Sequence, residues 1–269
     1  VSAARVDGLR GFVFDLDGCV WNGNVLNPGA RETLAALAKA GRRLAFLSNN
    51  SRATGADLRK RLHALGVTVA EHVLTPLEII GQVIAERWGP SRALVMGAEE
   101  MEQVIAAAGH EIARFDDWKR ATVVAVGNDF DLTYQRLAAA CRAAATTGAL
   151  ITPNVDPRLP IEGGDFLPGC GAIVQAVATA AGVEPVVVGK PEPPLFRIAL
   201  ERLGLDPASA AMVGDSLASD IRGGRRVGMP TILYAPSGAP EHHVPGDAGV
   251  EADAVVRSFA ELAALAGVA

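Results

Sequence analysis

The sequence predicts an α/β protein: a doubly wound parallel-sheet (Rossmann-like) core with a smaller α/β domain inserted into it. Three observations carry that reading. Short apolar runs alternate with helix-period segments along most of the 269 residues, which implies right-handed crossovers and parallel strands. Apolar residues make up 49% of the chain but aromatic ones only 5%, so the apolar content is mostly Ala, Val and Leu, suited to helices packed on strands. Several of the runs end in clustered polar groups, as strands do at the ligand-binding edge of an open parallel sheet.

The first strand, over 11–14, leads into Asp15-Leu16-Asp17-Gly18. Carboxylates at i and i+2 on an extended end point the same way, and Gly18 permits a sharp exit. Taken alone, the pair fits an acidic turn as well as two acids sharing a cation or a proton. A helix over 29–40 follows, with Pro28 placed for its first turn and Gly41 ending it. The next strand, over 43–47, runs into Ser48-Asn49-Asn50-Ser51. These short side chains suit phosphate oxygens, or the capping of the helix over 54–65 that Gly66 stops.

Residues 77–183 form the inserted domain, large enough for its own core. It reads as helix 77–88, strand 92–96, helix 99–108, strand 122–126, helix 133–147 and strand 149–152. The stretch 155–169, rich in Pro, Gly and Asp, reads as a functional or connecting loop, and 171–181 as a short packing helix. Residues 1–76 and 184–269 make one discontinuous core domain. Its returning half starts with a strand over 186–188 that runs into Gly189-Lys190-Pro191. Then come a helix over 193–203 stopped by Gly204, a strand over 211–214 ending in Asp215-Ser216, a helix over 217–226 that carries Asp220, and a strand over 230–234. A loop with His242 and His243 and a helix near 258–265 close the chain. By itself Lys190 reads as an exposed loop lysine, and Asp215 and Asp220 as charges at a helix start.

The net charge of −5 argues against a nucleic-acid partner bound through a basic surface. Cys19, Cys141 and Cys170 are far apart and odd in number, which argues against a disulfide framework and for a reducing cytoplasm. Cys19 reads as a small apolar filler, with a catalytic thiol as the other reading. Residues 1–5 lack the apolar core of a signal peptide, and no apolar run reaches membrane-spanning length. Gly169-Cys170-Gly171 lacks the closing Gly or Ala of a dinucleotide fingerprint, and Gly189-Lys190 lacks the residues of a P-loop.

The order Asp15-x-Asp17, Ser48-Asn49, Lys190, then Gly214-Asp215 with Asp220 resembles the haloacid dehalogenase-like hydrolase superfamily over nearly the whole chain. The likeness is greatest to its 4-nitrophenylphosphatase and NagD-like phosphatases, whose large cap lies between the second and third motifs. The matching cap signals are the stretches 126–134, Thr152-Pro153-Asn154-Val155-Asp156 and Leu167-Pro168-Gly169-Cys170-Gly171. The resemblance implies a magnesium-dependent phosphomonoesterase that works through an aspartyl-phosphate. Asp15 would be the nucleophile and Asp17 the general acid and base, the latter pointing to phosphate monoesters. Mg2+ would be bound by Asp15, the Asp17 backbone carbonyl and Asp215, with Asp220 supporting them through water or hydrogen bonds. Ser48, the Asn49 N–H and Lys190 would hold phosphate oxygens, and Asn154 and Asp156 would face the substrate from the cap. The implied partner is a small phosphorylated metabolite, with neither nucleic acid nor membrane, and caps of this type suggest a homodimer. The likeness leaves sugar phosphates, phosphoglycolate, glycerol phosphate, pyridoxal phosphate and nucleotides all open. Ser216 departs from the Arg or Asn that relatives often carry. Two other readings use similar residues: a phosphorelay receiver module, against which the i, i+2 acids and the insertion count, and an inactive phosphate-ligand binder, against which the intact Asp15, Asp17, Lys190 and Asp215 count.

Overall fold

The computed structural model describes residues 8–160, 165–238 and 249–269. His242, His243 and the first five residues lie outside them. The chain divides into two compact units. One comprises 1–48, 55–74 and 190–269, and the other 49–54 and 75–189.

The first unit is built on a six-stranded parallel sheet. Numbered by their order in the chain, its strands run 3-2-1-4-5-6: His72–Leu74, Arg43–Leu47, Gly11–Asp15, Ala210–Gly214, Thr231–Tyr234 and Ala254–Val256. This is the doubly wound order, and the direction of winding reverses between the first and fourth strands. The first strand is buried along its whole length, with Phe14 stacked between Phe46 and Phe259 at centroid distances of 5.8 and 6.5 Å. A strand covered on both faces has no polar face, which is why these segments are continuous apolar runs. The first helix, Ala30–Lys39, starts one residue later than expected. Gly29 at φ +78° is its N-cap, and Pro28 stands outside the first turn.

The second unit has its own parallel sheet, ordered Val186–Val187, Leu150–Thr152, Val123–Val126, Arg92–Met96 and Glu111–Ala113. Helices Tyr134–Thr147 and Cys170–Ala181 contribute Ala140, Ala143, Ala144, Val174 and Val177 to its core. Here the structure corrects the sequence reading. The strand expected over 186–188 belongs to this sheet, pairing with Leu150–Thr152, and the chain leaves the unit only after Gly189. Two residues are too few to show which sheet they extend. The stretch 155–169 is likewise not all loop, since Arg158–Pro160 and Phe166–Pro168 pair as an antiparallel hairpin. Gly169 and Gly171 follow because the backbone is crowded there. A Cβ at either would sit 2.3 Å from the Asp156 carbonyl oxygen or 2.1 Å from that of Val155. Among the described residues no helix is long and apolar enough to cross a membrane.

Candidate active site

The reversal point of the first sheet gathers the predicted acids. Strands Gly11–Asp15 and Ala210–Gly214 pair in parallel, with Phe14 opposite Val213, so Asp15 and Gly214-Asp215 emerge together at one edge. A crevice opens at this point in doubly wound sheets because neighbouring connections leave to opposite faces.

Lys190 reaches the same place and is not a surface lysine: its side chain is 3% exposed. Its Nζ donates to Asp15 Oδ1 and, at 2.7 Å, to Asp220 Oδ1. The other oxygen of Asp220 accepts the Ser216 N–H at 3.1 Å. A local irregularity puts Asp220 there. The helix expected over 217–226 begins with a π-helical turn, Leu217–Ile221, in which the Ile221 N–H bonds back to the Ser216 carbonyl, and becomes α-helical only over Arg222–Arg226. Such wide turns recur at functional sites because they re-aim a side chain. Ser216, the departure from the family pattern, caps this turn by accepting the Ser219 N–H at 3.2 Å.

Two glycines make room. A Cβ on Gly18, at φ +90°, would lie 2.1 Å from Asp215 Oδ2, and one on Gly214 would lie 2.3 Å from Asp220 Oδ2. With these carboxylates seated on bare backbone, Asp15, Asp215 and Asp220 each offer an oxygen within 4.8 Å of the others. Three acids around one ammonium, with Asp15, Asp220 and Lys190 buried and Asp215 half-buried, leave negative charge in excess. Asp15 is pushed well above the usual carboxylate range by burial, against the pull of Lys190 and with the push of Asp220 and Asp215. Asp215 is raised to about 7 by burial and then by Asp220. Burial alone would lower Lys190, but the charges of Asp15 and Asp220 outweigh it and hold the ammonium well above its ordinary value. An all-oxygen acidic cluster with uncompensated charge fits a hard divalent cation.

Asp17 stands outside that cluster. It is exposed, and both its oxygens are held: Oδ1 by the Trp21 indole N–H at 2.8 Å and Oδ2 by the Ser48 hydroxyl at 3.0 Å. Trp21 is a site residue that sequence reading missed. The chain turns tightly from Leu16 to Trp21, with the Trp21 N–H on the Leu16 carbonyl, before a short hairpin of Trp21–Asn22 and Val25–Leu26. The signal available was an aromatic four residues beyond the second acid.

The remaining predicted residues lie together in the second unit. Asn49 Nδ2 donates to Asp156 Oδ2 at 3.4 Å, and Asn154 Nδ2 donates to the Asn49 carbonyl at 2.6 Å. Asn154 Oδ1 accepts the Asp156 N–H at 3.0 Å, so this side chain is engaged at both ends. Asp156 is exposed. Asn50 does not cap a helix. It makes a turn, its Oδ1 accepting the Arg52 and Ala53 N–H groups at 2.8 Å each.

Comparison with known proteins agrees with this geometry. Residues 12–111 match the family described as haloacid dehalogenase-like hydrolase, and residues 187–262 match a second profile of HAD-hydrolase-like proteins. Chronophin of Rattus norvegicus is 36% identical over 233 residues, 83% of this chain and 75% of its own length. The crystal structure of 4-nitrophenylphosphatase from Thermotoga maritima superposes with a TM-score of 0.84 at 30% identity, covering 97% of this chain and 99% of that one. A glycerol phosphate phosphatase from Mycobacterium tuberculosis, solved in complex with magnesium, gives 0.82 at 29% identity over 96% of this chain and 78% of its own. These likenesses replace the receiver-module reading, and the chain belongs to the haloacid dehalogenase-like hydrolases, within their group of 4-nitrophenylphosphatase and NagD-like phosphatases.

Proposed function

We propose that this phosphatase is a magnesium-dependent phosphomonoesterase that hydrolyses a small organic phosphate ester through a phosphoryl group carried on Asp15. The observation that supports it most is the set of buried Lys190, Asp15 and Asp220 with the half-buried Asp215 at the reversal point of the first sheet. Phosphoryl transfer needs a nucleophile in line with the leaving oxygen and fixed positive charge around the phosphoryl oxygens. Asp15 attacks phosphorus, the P–O bond to the alcohol breaks, and Asp17 gives its proton to the departing oxygen. Asp17 then takes a proton from water as that water attacks the phosphoryl group, and the bond to Asp15 breaks to release inorganic phosphate. The two hydrogen bonds on Asp17, from Trp21 and Ser48, fix its orientation for both steps. Lys190, already charged, places its ammonium against the nucleophile and a phosphoryl oxygen, and the Ser48 hydroxyl and Asn49 N–H serve the others. Magnesium would be held by Asp15, Asp215 and the Asp17 carbonyl, with Asp220 behind them, and when bound it supplies charge that offsets the carboxylates and the phosphate.

In this reading the first unit carries the chemistry, and the second acts as the cap that limits access to small esters. Glycerol phosphates and sugar phosphates are the substrate classes that the relatives favour. A homodimer through the second unit is supported by its exposed apolar side chains, including Phe130, Tyr134 and Phe166. The three free and separate cysteines suit the cytoplasm. The test is a panel of small phosphate esters, with aryl phosphate as the generic probe, assayed for phosphate release with chelator and with magnesium. Activity restored only by the metal is expected, and full activity in chelator would refute the metal's role.

A further inference from the structure

Ser48 and Lys190 are far apart in sequence, yet the residues next to them, Asn49 and Gly189, are fastened to one dipeptide. The Gly189 N–H donates to the Pro153 carbonyl at 2.7 Å, and the Asn154 amide donates to the Asn49 carbonyl at 2.6 Å. Packing closes the same knot. A Cβ on Gly189 would stand 2.5 Å from the Pro153 carbonyl oxygen and 2.6 Å from Asn49 Oδ1, so the Gly189 backbone, the Pro153 carbonyl and the Asn49 side chain meet there with no space for another side chain. The dipeptide itself is held firmly. It continues the parallel pairing of Leu150–Thr152 with Val186–Val187, through the Val188 N–H on the Thr152 carbonyl at 3.1 Å. The buried Thr152 hydroxyl donates to the Asn154 carbonyl at 2.9 Å. Asn154 is 4% exposed and has both ends of its amide engaged, which leaves it poorly placed to touch a substrate.

We propose that Pro153-Asn154 is a bracket that sets the spacing of the two phosphate-binding segments, with Asn154 as a positioning residue acting through Asn49. The proposal rests on the phosphatase reading above. It turns the expectation for Asn154 around, from a group that faces the substrate from the cap to one that serves the phosphoryl group common to all substrates. The amide is the operative donor: it pins the Asn49 carbonyl, so only the two backbone dihedrals of Asn49 separate a fixed, planar 49–50 peptide from the Asn49 N–H that serves the phosphoryl group.

Two variants separate this from the alternatives. Asn154→Ala removes the donor, and Asn154→Asp keeps the size and the acceptor for the Asp156 N–H but sets a carboxylate against the Asn49 carbonyl. Both should lower kcat/KM by roughly a hundredfold on an aryl phosphate, a glycerol phosphate and a sugar phosphate alike, since misplacement of about 1 Å has that cost. The ranking of substrates should stay as in the unaltered protein. Inorganic phosphate, measured by calorimetry in magnesium, should bind more weakly by about tenfold, equivalent to 1.4 kcal/mol. Gly189→Ala presses on the bracket from its other end and should give the same signature. A changed ranking would make Asn154 a selector and overturn the proposal. So would an Asn154→Asp protein that behaves as the unaltered one, or losses that vanish once activity is expressed per folded molecule from the unfolding curve. Should the unaltered protein release phosphate from no ester, the phosphatase reading fails, and the calorimetric comparison still decides the bracket.

Discussion

The two units share an architecture and differ in how they bury charge. In the second, the buried acid Asp129 has a matched partner, Arg136, at 2.7 Å. Its other buried polar groups include neutral ones with partners. His110 accepts the Ser91 N–H at 3.2 Å on Nδ1, and its Nε2–H donates to the Gly81 carbonyl 2.9 Å away. In the first unit, Asp15, Asp215 and Asp220 face a single lysine. Matched burial holds a fold together, while unmatched burial costs stability and persists where a further charge binds. The parallel sheet is common to both, so the charges at its edge, and not the sheet, separate chemistry from support.

The sharpest way to break that comparison is to remove the nucleophile. Asp15→Asn should lower kcat by roughly 10^4-fold or more, the scale on which loss of a nucleophile is felt in other hydrolases. The fold should survive, since the change relieves carboxylate repulsion. Trapping of phosphate on any residue other than Asp15, seen by mass spectrometry after rapid quenching in acid, would move the nucleophile elsewhere.

Lys190→Met and Arg136→Met set the two kinds of burial side by side. Lys190→Met strands Asp15 and Asp220, and breaking a buried pair costs about 3–5 kcal/mol. Arg136→Met strands Asp129, at a smaller cost because Arg136 is 30% exposed. Magnesium should restore part of the stability lost in the first variant and none in the second. Thermal unfolding with and without the metal makes the measurement, and an equal response in both would show that the acids of the first unit form no cation site.

What sequence could read of this follows from range. Strand ends such as Asp15 and Asp215, and the glycines that stop helices, were legible because apolar runs and local turn chemistry specify them within a few residues. Three short strands, His72–Leu74, Glu111–Ala113 and Ala254–Val256, each three residues long at a sheet edge, left no periodicity to detect. The ion pair of Lys190 and Asp220 spans 30 positions and depends on a wide turn that no spacing announces. The grouping of 49–54 with the second unit was equally hidden, since it rests on partners such as Asn128 and Cys170, which bond Ser51 Oγ at 3.2 Å each.

Acid should uncouple the cluster from its cation. Asp215 titrates near 7 because it is buried beside Asp220, so below that pH it holds a proton, and a proton must leave before the metal binds. Magnesium affinity should therefore rise as pH rises through about 7, by up to about tenfold per unit on the acidic side, and level off above. The same raised carboxyl pKa means that the metal-free fold is more stable on the acidic side and loses that increment as pH climbs through about 7. Calorimetry in buffers of different ionisation enthalpy would count the protons released, and a pH-independent affinity with no release would contradict the raised titration.

The smallest effects concern one buried thiol from each unit. Cys19 lies two residues beyond Asp17, and burial, followed by the charges of Asp15 and Asp215, drives its pKa well above the ordinary value. Cys170 is raised to about 11, mainly by burial, and bonds Ser51. A thiol held in its protonated form is a poor nucleophile, since the thiolate is the reactive species. Alkylating reagent near neutral pH should reach the half-buried Cys141 first and leave turnover intact. Cys19→Ala should cost only about 1 kcal/mol of stability, the scale for one buried group of this size, with kcat nearly unchanged. The acids beside Cys19 both suppress its ionisation and supply the nucleophile, so rapid labelling of Cys19 with parallel loss of activity would show that the neighbouring charge has been neutralised and that the excess of acid assigned to this edge is wrong.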